Sequence, residues 1–192
     1  MVKMFVGDKE VKGMKGGWTL VQEFLPVGAI VIKDPEPGRP CWEEYFVDLL
    51  HTMSKRATCS RGSNACLITN QDNDILSFGY VGSPHGQPHC DTDGHVILRI
   101  RNLDTGEERE HCIRTIHAEQ NAIALAAKRG VALKDSILYT LLEPCYYCAK
   151  LIVQCGVIKV ISKFPYKEGN LTRELFDKSS IVWKVIEMKK SY

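Results

Sequence analysis

No apolar run in this 192-residue chain approaches the roughly 20 residues that a membrane-spanning helix needs. The opening residues, Met1-Val2-Lys3-Met4-Phe5, lack the apolar stretch of a secretory signal, so a cytoplasmic location with no membrane association is expected. Charge of one sign is lacking too: 25 Lys and Arg against 23 Asp and Glu leave a formal charge of +2. A surface that binds nucleic acid usually shows as a strong basic bias, so a polynucleotide partner is not expected. There is no internal repeat and no low-complexity segment. With 44% hydrophobic and 25% charged residues, the composition is that of a soluble globular chain able to bury one real core. Cysteine is what the chain has in number. Eight Cys without a secretion signal read as reduced thiols and metal ligands rather than disulfides.

Residues 1–40 read as an N-terminal extension and 41–192 as the main domain. The extension closes on Asp34-Pro35-Glu36-Pro37-Gly38-Arg39-Pro40, a run that continues neither a helix nor a central strand. Within it, Val27 to Ile32 has the β-branched content of a strand. Trp42 to Ala57 is predicted as an amphipathic helix, with Trp42, Tyr45, Phe46, Leu49, Leu50 and Met53 as a core-facing stripe. Strands are predicted at Ala65–Ile68, Ile75–Tyr80, Ile137–Leu142, Val157–Ser162 and Ile181–Ile186. Helices are predicted at His117–Arg129, ended by Gly130, at Cys145–Cys155, ended by Gly156, and near Thr172–Lys178. Residues 82–115 read as a long polar loop, and such loops are usually functional or held by a metal. Alternating strands and helices argue for an α/β sandwich around one central sheet.

His117-Ala118-Glu119 and, 28 positions after the His, Pro144-Cys145-Tyr146-Tyr147-Cys148 carry the chemistry. One imidazole and two thiolates supply the three protein ligands of a catalytic zinc and leave a fourth position open. The H-x-E…P-C-x-x-C pattern is the signature of zinc-dependent deaminases, in which the Glu carries protons and is not a ligand. His117, Cys145 and Cys148 are therefore the expected zinc ligands and Glu119 the expected acid/base. Both pairs fall at helix starts, where the partial positive charge favours thiolate. The expected reaction is hydrolytic deamination of a cytosine-type ring, with Glu119 relaying protons to the ring nitrogen and the departing amino group.

Longer blocks narrow the group. Trp42-Glu43-Glu44-Tyr45-Phe46, Ala57-Thr58-Cys59-Ser60-Arg61, Phe78-Gly79-Tyr80-Val81-Gly82-Ser83-Pro84, Pro88-His89-Cys90-Asp91, His111 to Ile123 and Pro144 to Ile152 occur in that order. From about Trp42 to about Phe176 the chain resembles the deoxycytidylate (dCMP) deaminases. The run H-C-x-R-T-I-H-A-E-x-N-A-I distinguishes this group from tRNA-adenosine and free-cytidine deaminases. The resemblance implies a three-layer α/β/α sandwich with a five-stranded mixed sheet, dCMP as substrate and dUMP as product. It also implies a homo-oligomer, a hexamer or smaller, with dCTP and dTTP as effectors. A second, structural zinc is implied, its ligands falling on Cys59, Cys90, His95 and Cys112, with His89 and His111 as rivals. Cys₃His is an ordinary structural zinc set.

The chain departs from the family's pattern at three places. Asn64-Ala65-Cys66 stands where V-G-A is usual, Val81 where an Asn is usual, and Glu143 precedes Pro144 where another residue is frequent. Asn64 and Val81 are expected to line one pocket and to have exchanged a polar group, since an amide without a partner is costly to bury. The alternative is a pocket retuned to a 5-substituted or otherwise altered cytosine nucleotide. Expected substrate contacts are Asn64, Ala65, Tyr80, Val81, Ala118, Arg61 and Tyr166, the last by stacking on the base. Arg61, Arg114, Lys128 and Lys167 are candidates for the phosphate, each also readable as a solvated surface charge. A nucleotide-sensing scaffold that kept the fold would have no use for Glu119.

Overall fold

The computed structural model describes residues 4–6, 9–11, 39–101 and 106–186. The strand expected at Val27 to Ile32 lies outside the described residues. The chain divides into two compact units, Met1–Cys41 and Trp42–Tyr192. In the first, β1 (Met4–Val6) pairs antiparallel with β2 (Lys9–Val11), Met4 opposite Val11.

The second unit holds a five-stranded sheet made of β3 (Ala65–Thr69), β4 (Ile75–Tyr80), β7 (Ile137–Leu142), β8 (Lys159–Phe164) and β9 (Val182–Val185). Their order is β4-β3-β7-β8-β9. β3 runs antiparallel to both β4 and β7, whereas β7, β8 and β9 are parallel. The sheet is therefore mixed, as expected. Every residue of β3 is buried, so this strand shows no polar alternation, as a strand covered on both faces must. Its side chains still divide by face. Ala65 and Leu67 pack with Phe46, Val47 and Leu50 of α1 (Trp42–Ser54) and with Tyr139, Leu141 and Ile161. Cys66 and Ile68 join the larger cluster on the other face, with Ala118, Ala122 and Ala126 of α3 (Ala118–Arg129). Ala149 and Ile152 of α4 (Tyr146–Gln154) and Phe176 of α5 (Asn170–Lys178) complete that layer.

The helices follow from their sequences. α3 is rich in Ala, the best helix former, carries Lys128 and Arg129 in its last turn, and ends at Gly130 with φ 67°. α4 and α5 form the connections that parallel β7–β8 and β8–β9 pairing requires.

Three expectations need correction. In the α1 stripe, Trp42 and Tyr45 are exposed; Phe46, Val47 and Leu50 are buried in the core, and Leu49 and Met53 pack against it half-buried. Trp42 instead stacks on Phe46 from outside, with ring centroids 5.5 Å apart. Residues 82–115 are not a plain loop. They contain a single turn, α2 (Cys90–Asp93), and a hairpin of β5 (Ile97–Arg101) and β6 (Glu108–Cys112), Ile97 paired with Cys112. The residues of β5 are exposed on both faces, so the alternation that would have marked a strand is missing. Finally, β8 begins two residues later than expected. Gly156 turns the chain at φ 76°, and Val157, 2% exposed, plugs the core before pairing begins.

Candidate active site and metal clusters

α3 lies directly on β4. A Cβ on Gly79 would come within 2.4 Å of the Ala118 carbonyl oxygen and 2.5 Å of the Ala122 nitrogen, so only glycine permits this approach. Two hydrogen bonds fix the register: Asn121 Nδ2 donates to the Tyr80 carbonyl at 2.7 Å, and Ser77 Oγ to the Ala122 carbonyl at 2.6 Å. They set the start of α3, where His117 is the N-cap and its N–H donates to Gln120 Oε1 at 3.3 Å. On the neighbouring helix Cys145 is the N-cap of α4, and Cys148 falls in its first turn. Cys145 follows directly on the C-terminal end of β7, where open α/β sheets place their ligand sites.

These two helix starts meet. His117 Nδ1 is 3.5 Å from Cys145 Sγ and 3.4 Å from Cys148 Sγ, and the three ligand atoms lie within 4.8 Å of one another. A tetrahedral zinc with ordinary bond lengths separates a thiolate sulfur from an imidazole nitrogen by about 3.6 Å. The donor set and its spacing fit zinc. The Cys145 thiol is drawn down to about 4, mainly by the hydrogen bond from Cys148, while Cys148 itself is pushed up by the same bond. Opposed shifts on adjacent thiols reflect one shared proton, which a divalent metal displaces.

The other cluster joins separate parts of the chain. Cys59, Cys90, His95 and Cys112 place their ligand atoms within 4.8 Å of one another. Cys59 Sγ is 3.6 Å from His95 Nδ1, and Cys90 Sγ is 3.7 Å from Cys112 Sγ. The second distance is close to the roughly 3.8 Å that tetrahedral zinc imposes on two thiolates. His95 Nε2 lies 3.5 Å from Ser60 Oγ, an orienting partner of the kind metal-bound imidazoles have. Cys90 is pushed up to about 12, first by burial and then by its neighbours Cys112 and Cys59. Cys112 is brought to about 7: burial works the other way, but hydrogen bonds with the Arg114 backbone, His95 and Cys90 outweigh it. The rivals His89 and His111 do not belong to this set among the described residues. The His111 ring instead stands 5.9 Å from that of His117.

A cavity of about 260 Å³ opens beside the first cluster. His117, Cys145 and Glu119 form part of its lining, and Asn64, Val81, Ala118, Arg61 and Tyr166 share it. Asn64 and Val81 thus do line one cavity. Ala65 and Tyr80 are not in the lining; Ala65 is fully buried under α1. Of the four phosphate candidates, Arg61 alone lines the cavity. Its Nη2 donates to the Glu110 carbonyl at 3.1 Å, and Nη1 is 3.9 Å from the Glu110 carboxylate. Glu119 is 3% exposed, and burial pushes its carboxyl up.

Two contributors escape sequence reasoning. Thr140, on β7, places its hydroxyl 3.4 Å from Glu119 Oε1; the only signal was a polar residue in an otherwise apolar strand. Arg173, on α5, forms a two-pronged ion pair with Glu143, with 2.8 Å to each carboxylate oxygen. Glu143 also accepts the Tyr166 N–H at 3.0 Å, so it anchors the segment that brings Tyr166 to the cavity. No sequence signal linked Arg173 to Glu143.

Residues 40–163 match the cytidine and deoxycytidylate deaminase zinc-binding region, about two thirds of the chain. The chain belongs to the zinc-dependent cytidine and deoxycytidylate deaminase family. ComE operon protein 2 of Bacillus subtilis (strain 168) is 33% identical over 150 residues, covering 78% of this chain and 74% of that protein. The deoxycytidylate deaminase of Pongo abelii is 32% identical over 149 residues, covering 74% of this chain and 78% of that protein. In fold, the chain is similar to the crystal structure of the dCMP deaminase from the cyanophage S-TIM5, with a TM-score of 0.60 at 22% identity over 77% of this chain and 99% of that one.

Proposed function

We propose that this protein deaminates dCMP hydrolytically, giving dUMP and ammonia. The observation that carries the reading is the Glu119 carboxyl, buried at 3% exposure in the wall of a cavity that also contains His117 and Cys145. The similarity to a protein named deoxycytidylate deaminase supports the choice of nucleotide.

His117, Cys145 and Cys148 would hold the catalytic zinc, and Cys59, Cys90, His95 and Cys112 a second, structural one. When bound, the catalytic zinc supplies Lewis-acid activation of a water molecule at neutral pH. The residues of the chain do the rest. Glu119 takes the proton released by the attacking water and delivers it to the ring nitrogen beside the amino-bearing carbon. Oxygen adds to that carbon. The carbon–nitrogen bond to the amino group then breaks, with a second proton carried by Glu119, so that dCMP and water become dUMP and ammonia. Burial raises the pKa of the Glu119 carboxyl, which brings it nearer the working pH, as a group that both takes and gives a proton requires. Val81 and Ala118 border the base, Tyr166 stacks on it, and Arg61 receives the phosphate by exchanging its contacts with Glu110. The reading extends to a cytoplasmic homo-oligomer of up to six copies that responds to dCTP and dTTP. Exposed Tyr147 and Leu151 on α4 and Leu171 on α5 support assembly. Among the described residues no helix is long and apolar enough to cross a membrane.

Val81, an apolar residue where the family pattern has Asn, favours a second reading in which the base is a 5-substituted cytosine. Ammonia release measured side by side on dCMP, CMP, deoxycytidine, dCTP and 5-methyl-dCMP decides between them. The first reading expects dCMP to be turned over at least about tenfold faster than the others, the discrimination available from pairing or orphaning a polar group. Preference for 5-methyl-dCMP establishes the second, and no turnover of any of the five overturns both.

A further inference from the structure

Asn64 ends the segment leading into β3, at the base of the cavity, and its amide can be accounted for atom by atom. Oδ1 accepts two main-chain N–H groups, from Ala65 at 2.9 Å and from Leu142 at 3.3 Å. Two N–H donors from different strands fix the orientation of the amide, because the reversed side chain would set NH₂ against both. Nδ2 therefore faces the other way, 3.2 Å from Thr140 Oγ1 and 3.5 Å from Glu119 Oε1.

Thr140 has one hydroxyl proton and three acceptors in reach: the Leu142 carbonyl at 3.1 Å, and Asn64 Oδ1 and Glu119 Oε1 at 3.4 Å each. The proton belongs to the nearest, the Leu142 carbonyl. The hydroxyl oxygen then accepts one Asn64 N–H, and the second Asn64 N–H has Glu119 Oε1 as its partner. Both lone pairs of Oδ1 and both amide protons are then in use within the protein. Nothing is left over for a substrate, although the side chain lines the cavity.

We infer that Asn64 is a positioning residue that holds Oε1 of Glu119, rather than a contact to the nucleotide. The inference rests on Glu119 being the proton carrier of the proposed reaction. It gives the exchange of residues at 64 and 81 a different meaning: the polar group at position 64 serves the acid/base, and Val81 faces the substrate without a polar counterpart.

The test is Asn64→Val, read in two backgrounds. In the otherwise intact zinc-loaded enzyme, kcat for dCMP is expected to fall about tenfold or more, the size of one lost hydrogen bond, while KM stays within about twofold. In the Glu119→Gln background, where no turnover intervenes, titration calorimetry is expected to give the same dCMP affinity with and without Asn64→Val. A weaker dCMP affinity in that background, or a raised KM with kcat unchanged, would make Asn64 a substrate contact and overturn the inference. So would an unchanged kcat. Thermal denaturation and zinc content verify the fold. Should Asn64→Val not fold, Asn64→Asp keeps an acceptor for Ala65 and Leu142 while removing the donor, and is read the same way. Failure of the dCMP reading shows separately, in the unsubstituted protein; the comparison then uses whichever nucleotide of the panel is turned over. If none is, both fall.

Discussion

Glu119 sits two residues beyond His117 because a helix N-terminus presents its N-cap and its second residue to the same cavity. In the proposed reaction, that makes ligand and proton carrier independent in function although close in sequence. Glu119→Gln is expected to retain zinc and lose about 10²- to 10⁴-fold in turnover, the range a general acid/base contributes. Metal analysis together with ammonia release checks this; retained activity would remove Glu119 from the reaction. That His117, Cys145 and Cys148 meet, with Glu119 beside them, was legible in the sequence because their spacing is dictated by where helices begin. The surroundings were less so. Asn64 was marked as unusual from its position alone, but its partners lie 55 and 76 residues away. A contact that distant leaves no local periodicity to read.

Single close approaches between elements hold the site. Gly79 is where α3 meets β4, and an added methyl meets backbone atoms at 2.4 and 2.5 Å that no side-chain rotation relieves. Gly79→Ala is expected to cost about 3 kcal/mol, the upper part of the range for overpacking, measured by denaturant unfolding. The other anchor is Glu143, 3% exposed and paired with Arg173. Arg173→Leu leaves that carboxylate buried without its cation and is expected to destabilise by about 3 kcal/mol. It should also raise KM by freeing the Tyr166 segment. On the opposite face, His51 of α1 accepts a hydrogen bond from Lys163 of β8 at 2.6 Å. Burial first, and then Lys163 and Lys55, lower its pKa, with Asp48 opposing. A histidine harder to protonate when folded gives stability that is present above its ordinary value near 6.5 and is lost as the pH falls through it. Acidification from pH 7.5 to 5.5 is therefore expected to destabilise the protein less in His51→Leu than in the unsubstituted chain, read from denaturant midpoints. The strand and helix order was legible from turn residues and apolar runs. The exposed hairpin of β5 and β6 was not, because neither of its faces is buried.

At the scale of the whole molecule, the proposed function divides the work of the two clusters between holding a fold and doing chemistry. Cys59 lies in the loop after α1, Cys90 in α2, His95 between α2 and β5, and Cys112 in β6, so a metal there would fasten a segment that buries little apolar surface. Two zinc ions per chain are expected, and Cys90→Ser should lower the count to one while reducing thermal stability more than it alters the remaining catalytic zinc. That cluster was legible only through resemblance; the spacing of four ligands across 53 residues has no local signature. The central claim is that zinc at the first cluster and Glu119 together deaminate dCMP. Its most direct test is dUMP and ammonia measured on one sample of protein before chelation, after chelation, and after zinc is returned. Equal amounts of both products, lost on chelation and restored by zinc, are the predicted result. Ammonia release that survives removal of the metal, or no dUMP from the zinc-loaded protein, would contradict it.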